Sequence, residues 1–194
     1  MSQEVLEFVQ GMDMDNLETQ LALQCAPLIA GLKASNLFIT QNVSYQEVQE
    51  ILRNTNISCQ ILLLTKQRNV FLLYHTDKME ACLSQNKAKA LLREMGYQKF
   101  ALEDVLPLFR RRYYSHMRDN TEFPHEMGVL LDYPIEDVEG FIKNQGKNFL
   151  YRGYWKVYEN PSVKLQLFQK FESAKEALLR LIQEGISIVE MIYI

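Results

Sequence analysis

The spacing of apolar positions switches between helical and strand periods along this chain, and each switch marks an element. Leu17, Leu21, Cys25 and Leu28 recur at helical spacing, and Pro27 is expected to break that helix. Val48, Ile51 and Leu52 repeat the pattern in a shorter helix that ends near Asn54. Three helix starts carry the capping-box spacing, in which a small polar side chain takes an orphan amide and a carboxylate three residues on reaches back. They are Asp15 with Glu18, Ser44 with Glu47, and Asp77 with Glu80. Residues 36–40 read as a short strand. Residues 59–65 and 70–74 are apolar runs separated by the polar Lys66-Gln67-Arg68-Asn69, which predicts an antiparallel hairpin.

The second half continues in the same manner. Helices are expected over 77–84, 87–95 and 103–118, with Gly96 closing the middle one as a left-handed C-cap residue. Pro124 and Pro134 predict two short helices, 124–131 and 134–144, around a tight Asp132-Tyr133 turn. Ile135, Val138, Phe141 and Ile142 form the apolar face of the second, and Gly146 can stop it. Residues 149–158 are aromatic-rich and read as a strand. Asn160-Pro161 opens the longest helix, whose stripe of Leu167, Phe168, Phe171, Ala174, Leu178, Leu181 and Ile182 ends at Gly185. The apolar residues 186–194 are expected to be a last strand or an interaction tail. Helices and strands mix without a regular βαβ alternation. The expected class is therefore α+β, a small, partly antiparallel sheet packed with several helices in a single domain over 1–194.

Composition narrows the function classes. A net charge of -3 disfavours non-specific nucleic-acid binding, which needs a positive surface. No apolar run approaches the roughly 20 residues that span a bilayer, so no membrane association is expected. The N-terminal MSQEVLEFVQ lacks the basic segment of a signal peptide, which points to a cytoplasmic protein. Cys25, Cys59 and Cys82 are widely spaced with no CxxC pair, so zinc ribbons and thioredoxin chemistry are unsupported. Walker and Rossmann glycine patterns are absent.

Residues 122–158 carry the candidate chemistry, with four of the eight glycines and the only Trp. With Pro124 in a first helical turn, His125 and Glu126 sit beside a helix N-terminus, which disfavours imidazolium and keeps His125 neutral. A neutral imidazole can bind a metal or act as a base. His125 and Glu126 are thus the catalytic candidates. With His116 they are the metal candidates, for iron or zinc. The bland alternative is that Glu126 only stabilises the helix start. The zincin HExxH pattern is missing, because position 129 is Val. Cys25 as a nucleophile is disfavoured by its place in an apolar stripe near a helix C-terminus. Arg110-Arg111-Arg112 with Tyr113 and Tyr114 could hold a phosphate, a flavin partner or nucleic acid, but consecutive helical residues point in different directions and a solvated face is the favoured alternative. Strand alternation places Tyr154, Lys156 and Tyr158 on one face and Trp155 and Val157 on the other. Arg111, Tyr154 and Lys156 are the ligand-binding candidates. The paired short helices around Asp132-Tyr133 suggest a helix-turn-helix, but Glu136, Asp137 and Glu139 on the second would repel phosphates.

Several blocks together resemble a family of small, functionally unassigned bacterial proteins of anaerobic Gram-positive species. They are Cys25-Ala-Pro27 with Gly31-Leu-Lys33, Phe123-Pro-His-Glu-Met-Gly128, Tyr133-Pro134 with Asp137-Val138 and Gly140-Phe-Ile142, and Gly153-Tyr-Trp-Lys-Val-Tyr158. The resemblance implies a cytoplasmic protein and a link to ferrous iron uptake and flavodoxin. The leading expectation is an accessory protein of anaerobic iron or redox metabolism that binds a metal or small ligand near His125 and Glu126. The alternative is a non-catalytic interaction module, a homodimer or bound to another protein, through the apolar tail and the aromatic strand. The third is a hydrolase or transferase with His125 as base.

Overall fold

In a computed structural model of the chain the described residues are 10–192. The acidic segment 1–9, read above as no signal peptide, and residues 193–194 of the expected last strand lie outside them. The α+β class holds, and the described residues form two compact units. One comprises residues up to 75 and from 169 onward, the other residues 76–168.

The first unit is a three-stranded antiparallel sheet with helices. Helix α1 (Leu17–Ile29) precedes β1 (Ser35–Thr40), and α2 (Tyr45–Leu52) precedes the hairpin of β2 (Ile57–Leu64) and β3 (Asn69–His75). The sheet order is β1-β3-β2, with β2 shifted in register between Ile61 and Leu63. The free edge of β1 is covered locally. The Gln24 amide donates to the Ile39 carbonyl and accepts from the Ile39 amide, both at 2.9 Å, as a neighbouring strand would. Leu21, Cys25 and Leu28 of α1 pack with Phe38, Val48, Phe71 and Leu73 in one core. Ser44 and Glu47 form the expected capping box.

Several expectations about this unit need correction. The first helix is capped by Asn16, whose side chain accepts from the Thr19 amide, and not by Asp15. Pro27 does not break it, because so near the C-terminus proline forfeits little more than its own hydrogen bond. The chain turns at Gly31, at φ +67°. The tail after Gly185 is not a strand but a short helix, α9 (Ile188–Ile192). Its buried residues Ile188 and Met191 are three apart, which places both on one helical face against the core. Ser187 secures it, donating to Glu18 at 2.7 Å and accepting from the Val189 amide.

The second unit carries the candidate site. It comprises α3 (Thr76–Ser84), α4 (Asn86–Glu94), α5 (Leu102–Asp119), α6 (Met127–Leu130), α7 (Ile135–Lys143), the strand pair β4 (Tyr151–Arg152) and β5 (Lys156–Val157), and the start of α8 (Pro161–Gln183). Asp77 falls inside α3, since that helix begins at Thr76 directly after β3. Helix α3 touches α4, α5 and α6, and α7 touches α6 and β5. Gly96, Gly146 and Gly185 all adopt positive φ, as their reading as helix stops requires. The expected strand over 149–158 is instead a tight β4–β5 hairpin. A Cβ on Gly153 would lie 2.4 Å from the Phe168 ring, so the chain reverses where only glycine leaves room for it. Trp155 and Val157 are buried and Tyr154, Lys156 and Tyr158 are partly exposed, the alternation expected of them.

Candidate functional site

His125 and Glu126 lie on the turn that leads into α6, where the Met127 and Gly128 amides bond back to the carbonyls of Pro124 and His125. Helix α6 has four residues and starts after both side chains, so the helix expected to begin at Pro124 is shorter and neither side chain lies in its first turn.

Glu126 is 2% exposed, and its carboxylate is committed. Its Oε1 accepts from the Tyr97 hydroxyl at 3.0 Å and from Arg112 Nη1 at 3.1 Å. Arg112 also donates to the Met95 carbonyl at 2.9 Å and lies 4.9 Å over the Tyr97 ring. Burial, reinforced by the neighbouring carboxylate, raises the Tyr97 hydroxyl far above its ordinary range, so it remains a donor. A carboxylate held by a guanidinium and a phenol in this way positions the 124–128 turn, with its charge already matched. The three arginines of α5 divide as helical geometry demands. Arg112 turns inward to Glu126, while Arg110 and Arg111 are exposed.

His125 is half-buried between rings, 5.3 Å from Phe123 and 5.8 Å from Phe141 between centroids. Phe123 also meets His116 at 5.4 Å. The His116 Nδ1 is 2.7 Å from the Thr121 carbonyl and must donate to it, which fixes its tautomer. Both imidazoles therefore contact the same phenyl ring, and Glu126 is occupied elsewhere. Among the described residues no three His, Cys, Asp or Glu side chains gather as a metal ion would need. The set His125, Glu126 and His116 expected for iron or zinc is not assembled.

Two concavities meet at His125. A cleft of about 710 Å³ is lined by α4, α5 and the 121–126 segment, with Met95, Arg111, Phe123 and His125 among its walls. An apolar cavity of about 230 Å³ lies between α6, α7 and β5, and it shares Phe123 and His125 with the cleft. Tyr133 and Trp155 stack at 4.9 Å in its wall, and Phe168 meets Trp155 edge-on at 4.6 Å.

Asp137 was expected on an exposed, acidic face, yet it is 2% exposed. Its Oδ2 accepts from the Trp155 indole at 2.8 Å, and its Oδ1 from the amides of Tyr158 at 2.7 Å and Glu159 at 3.2 Å. This carboxylate ties the aromatic hairpin to α7. Gly140 lets the two meet closely, since a Cβ there would lie 2.5 Å from Tyr158 Cβ. Lys156 lines the cavity, donates to the Gly146 carbonyl at 2.7 Å and sits over the Phe141 and Phe149 rings. Tyr154 packs on Phe168 at 5.5 Å. Of the ligand-binding candidates, Arg111 lines the cleft and Lys156 the cavity, so His125 joins their two spaces, while Tyr154 lines neither.

The thiols are structural. Cys25 is fully buried, and burial pushes its thiol well above the ordinary range despite the opposing charge of Lys33. Burial likewise pushes Cys59 up to about 12 and Cys82 up to about 11, the latter with help from Asp132. Among the described residues no helix is long and apolar enough to cross a membrane.

The described residues form an α+β fold in which a cleft and an apolar cavity share His125 and Phe123. The chain belongs to the family described as "Protein of unknown function (DUF3793)", whose model matches residues 21–192. No curated protein and no solved structure matches it.

Proposed function

We propose that this chain binds a small organic molecule at His125, where the cleft and the apolar cavity meet, and that it acts as a binding or accessory protein. One observation carries the reading. The His125 imidazole lines both spaces and makes no hydrogen bond among the described residues. A concave, aromatic-walled space with few convergent polar groups is the usual form of a small-molecule site. Among the described residues no donor set supports the metal half of the iron or redox expectation. A hydrolase or transferase base is usually held by an orienting partner on its second ring nitrogen, and among the described residues none is hydrogen-bonded to His125.

Thermal-shift screening with small anions, cations, neutral aromatics and neutral aliphatics tests the reading. At least one class should raise Tm of the wild type and leave His125→Ala unmoved. Equal shifts in both proteins, or no shift with any class, would overturn it. The exposed Phe149, Leu150 and Tyr151 favour a second reading, a protein-interaction surface, homodimeric or with another chain. A Leu150→Lys chain that sediments identically to wild type at high concentration, and as monomer, would remove the homodimer.

A further inference from the structure

The walls of the apolar cavity also specify what it holds, provided the reading above stands. Phe123, Met127, Tyr133, Val138, Phe141 and Trp155 give it an almost wholly hydrocarbon lining. Size sets the first limit. A dry apolar cavity of about 150 Å³ accommodates benzene, and this one, at about 230 Å³, has room for a single ring with a substituent. Charge sets the second. The carboxylate of Asp137 already accepts three N–H groups. The Lys156 ammonium is held by the Gly146 carbonyl and two aromatic faces. An anion would have to draw that ammonium from the carbonyl and both ring faces, a cation would meet a carboxylate already taken by three donors, and either would forfeit its hydration in an otherwise hydrocarbon space.

Polarity sets the third limit. The Trp155 indole N–H is spent on Asp137. The imidazole of His125, at the junction with the cleft, is not hydrogen-bonded within the described residues. It can accept from a hydroxyl or donate to one. The aromatic walls present ring edges and faces, which favour an aromatic guest over an aliphatic one of equal size.

We infer that the cavity takes an uncharged, monocyclic aromatic ligand bearing one hydrogen-bonding substituent directed at His125, with phenol as the simplest member of the class.

Calorimetric titration of the full chain with phenol, toluene, cyclohexanol and benzoate tests this. Phenol should bind tightest, ahead of toluene by roughly three- to tenfold, the worth of one hydrogen bond, with cyclohexanol and benzoate weaker. His125→Phe, which keeps the ring and the apolar wall, should erase the advantage of phenol and leave toluene unchanged. His125→Gln, which restores a hydrogen-bonding group, should recover part of it and guards against a folding defect in the first variant. Benzoate or cyclohexanol binding as tightly as phenol would overturn the inference, as would a phenol preference that survives His125→Phe. If none of the four binds while another fragment class shifts Tm of the wild type but not of His125→Ala, the inference falls and the site stands. If no fragment of any class binds, both fall.

Discussion

Replacing Asp137 by Asn should destabilise the chain far more than any exposed carboxylate change, although the two side chains are nearly isosteric. The wild-type carboxylate spreads three N–H donors over two oxygens, with the indole on one and two backbone amides on the other. An amide offers a single acceptor oxygen. Whichever way it is turned, an NH2 group faces either the Trp155 indole N–H or the paired amides. At least one buried donor is left unmet, and the survivors lose their charge assistance. Hydrogen bonds to charged groups contribute about 1.5–3 kcal/mol each, so the loss should be about 2–4 kcal/mol. Against a total stability of about 5–15 kcal/mol that is a large fraction. With a urea m-value of about 2 kcal/mol/M, the midpoint should fall by about 1–2 M. Trp155 is the only Trp in the chain, so its emission reports the transition at the very contact removed. Glu139→Gln, an exposed change on the same helix, is the control. A midpoint for Asp137→Asn within error of that control, with unshifted native emission, would refute the claim that this carboxylate anchors the aromatic hairpin.

Three further outcomes follow from the geometry. Gly140→Ala forces a methyl to within 2.5 Å of Tyr158 Cβ and should cost about 1–3 kcal/mol as overpacking, read by the same urea titration; an unchanged midpoint would contradict the close approach. All three thiols are buried or shifted upward, so Ellman's reagent near pH 8 should react slowly with the native chain and rapidly after unfolding. A fast native thiol would disprove the assignment of the cysteines to packing. Burial works to raise the Glu136 carboxyl, but the hydrogen bond from Lys164 at 2.6 Å and one from the backbone outweigh it and hold it below the ordinary range. Its contribution to stability is therefore present above the unfolded carboxylate value of about 4.3 and lost as pH falls through the folded one. The stability gap between wild type and Glu136→Gln should close on acidification, and a gap constant with pH would exclude that coupling.

The parts of the fold that were legible in the sequence are those determined within a few residues. Ser44 and Glu47 satisfy each other three positions apart, and the β2–β3 hairpin is announced by two apolar runs around a polar turn. Gly96 and Gly146 mark helix ends because left-handed backbone selects for them. The misread tail shows the limit of periodicity. A short apolar run such as 186–192 fits a strand or a helix equally, and Ser187 and its bond to distant Glu18 decide between them. The partners of the candidate carboxylates were less legible. Glu126 and Asp137 look like free carboxylates because their partners, Tyr97, Arg112 and Trp155, lie 14 to 29 residues away. One signal was present. A buried Trp needs an acceptor for its N–H, and the strand alternation that buried Trp155 called for a carboxylate or carbonyl nearby.

The most direct measurement is the 15N-resolved indole N–H resonance of Trp155, a single signal in this chain, followed while a fragment that raises Tm is titrated into wild type and into His125→Ala. Binding at the His125 junction predicts a saturable shift of that resonance, together with the amides of 123–128, in the wild type alone. A Tm-active fragment that leaves the indole and these amides unmoved, or moves them equally in both proteins, would contradict the assignment of the site to His125.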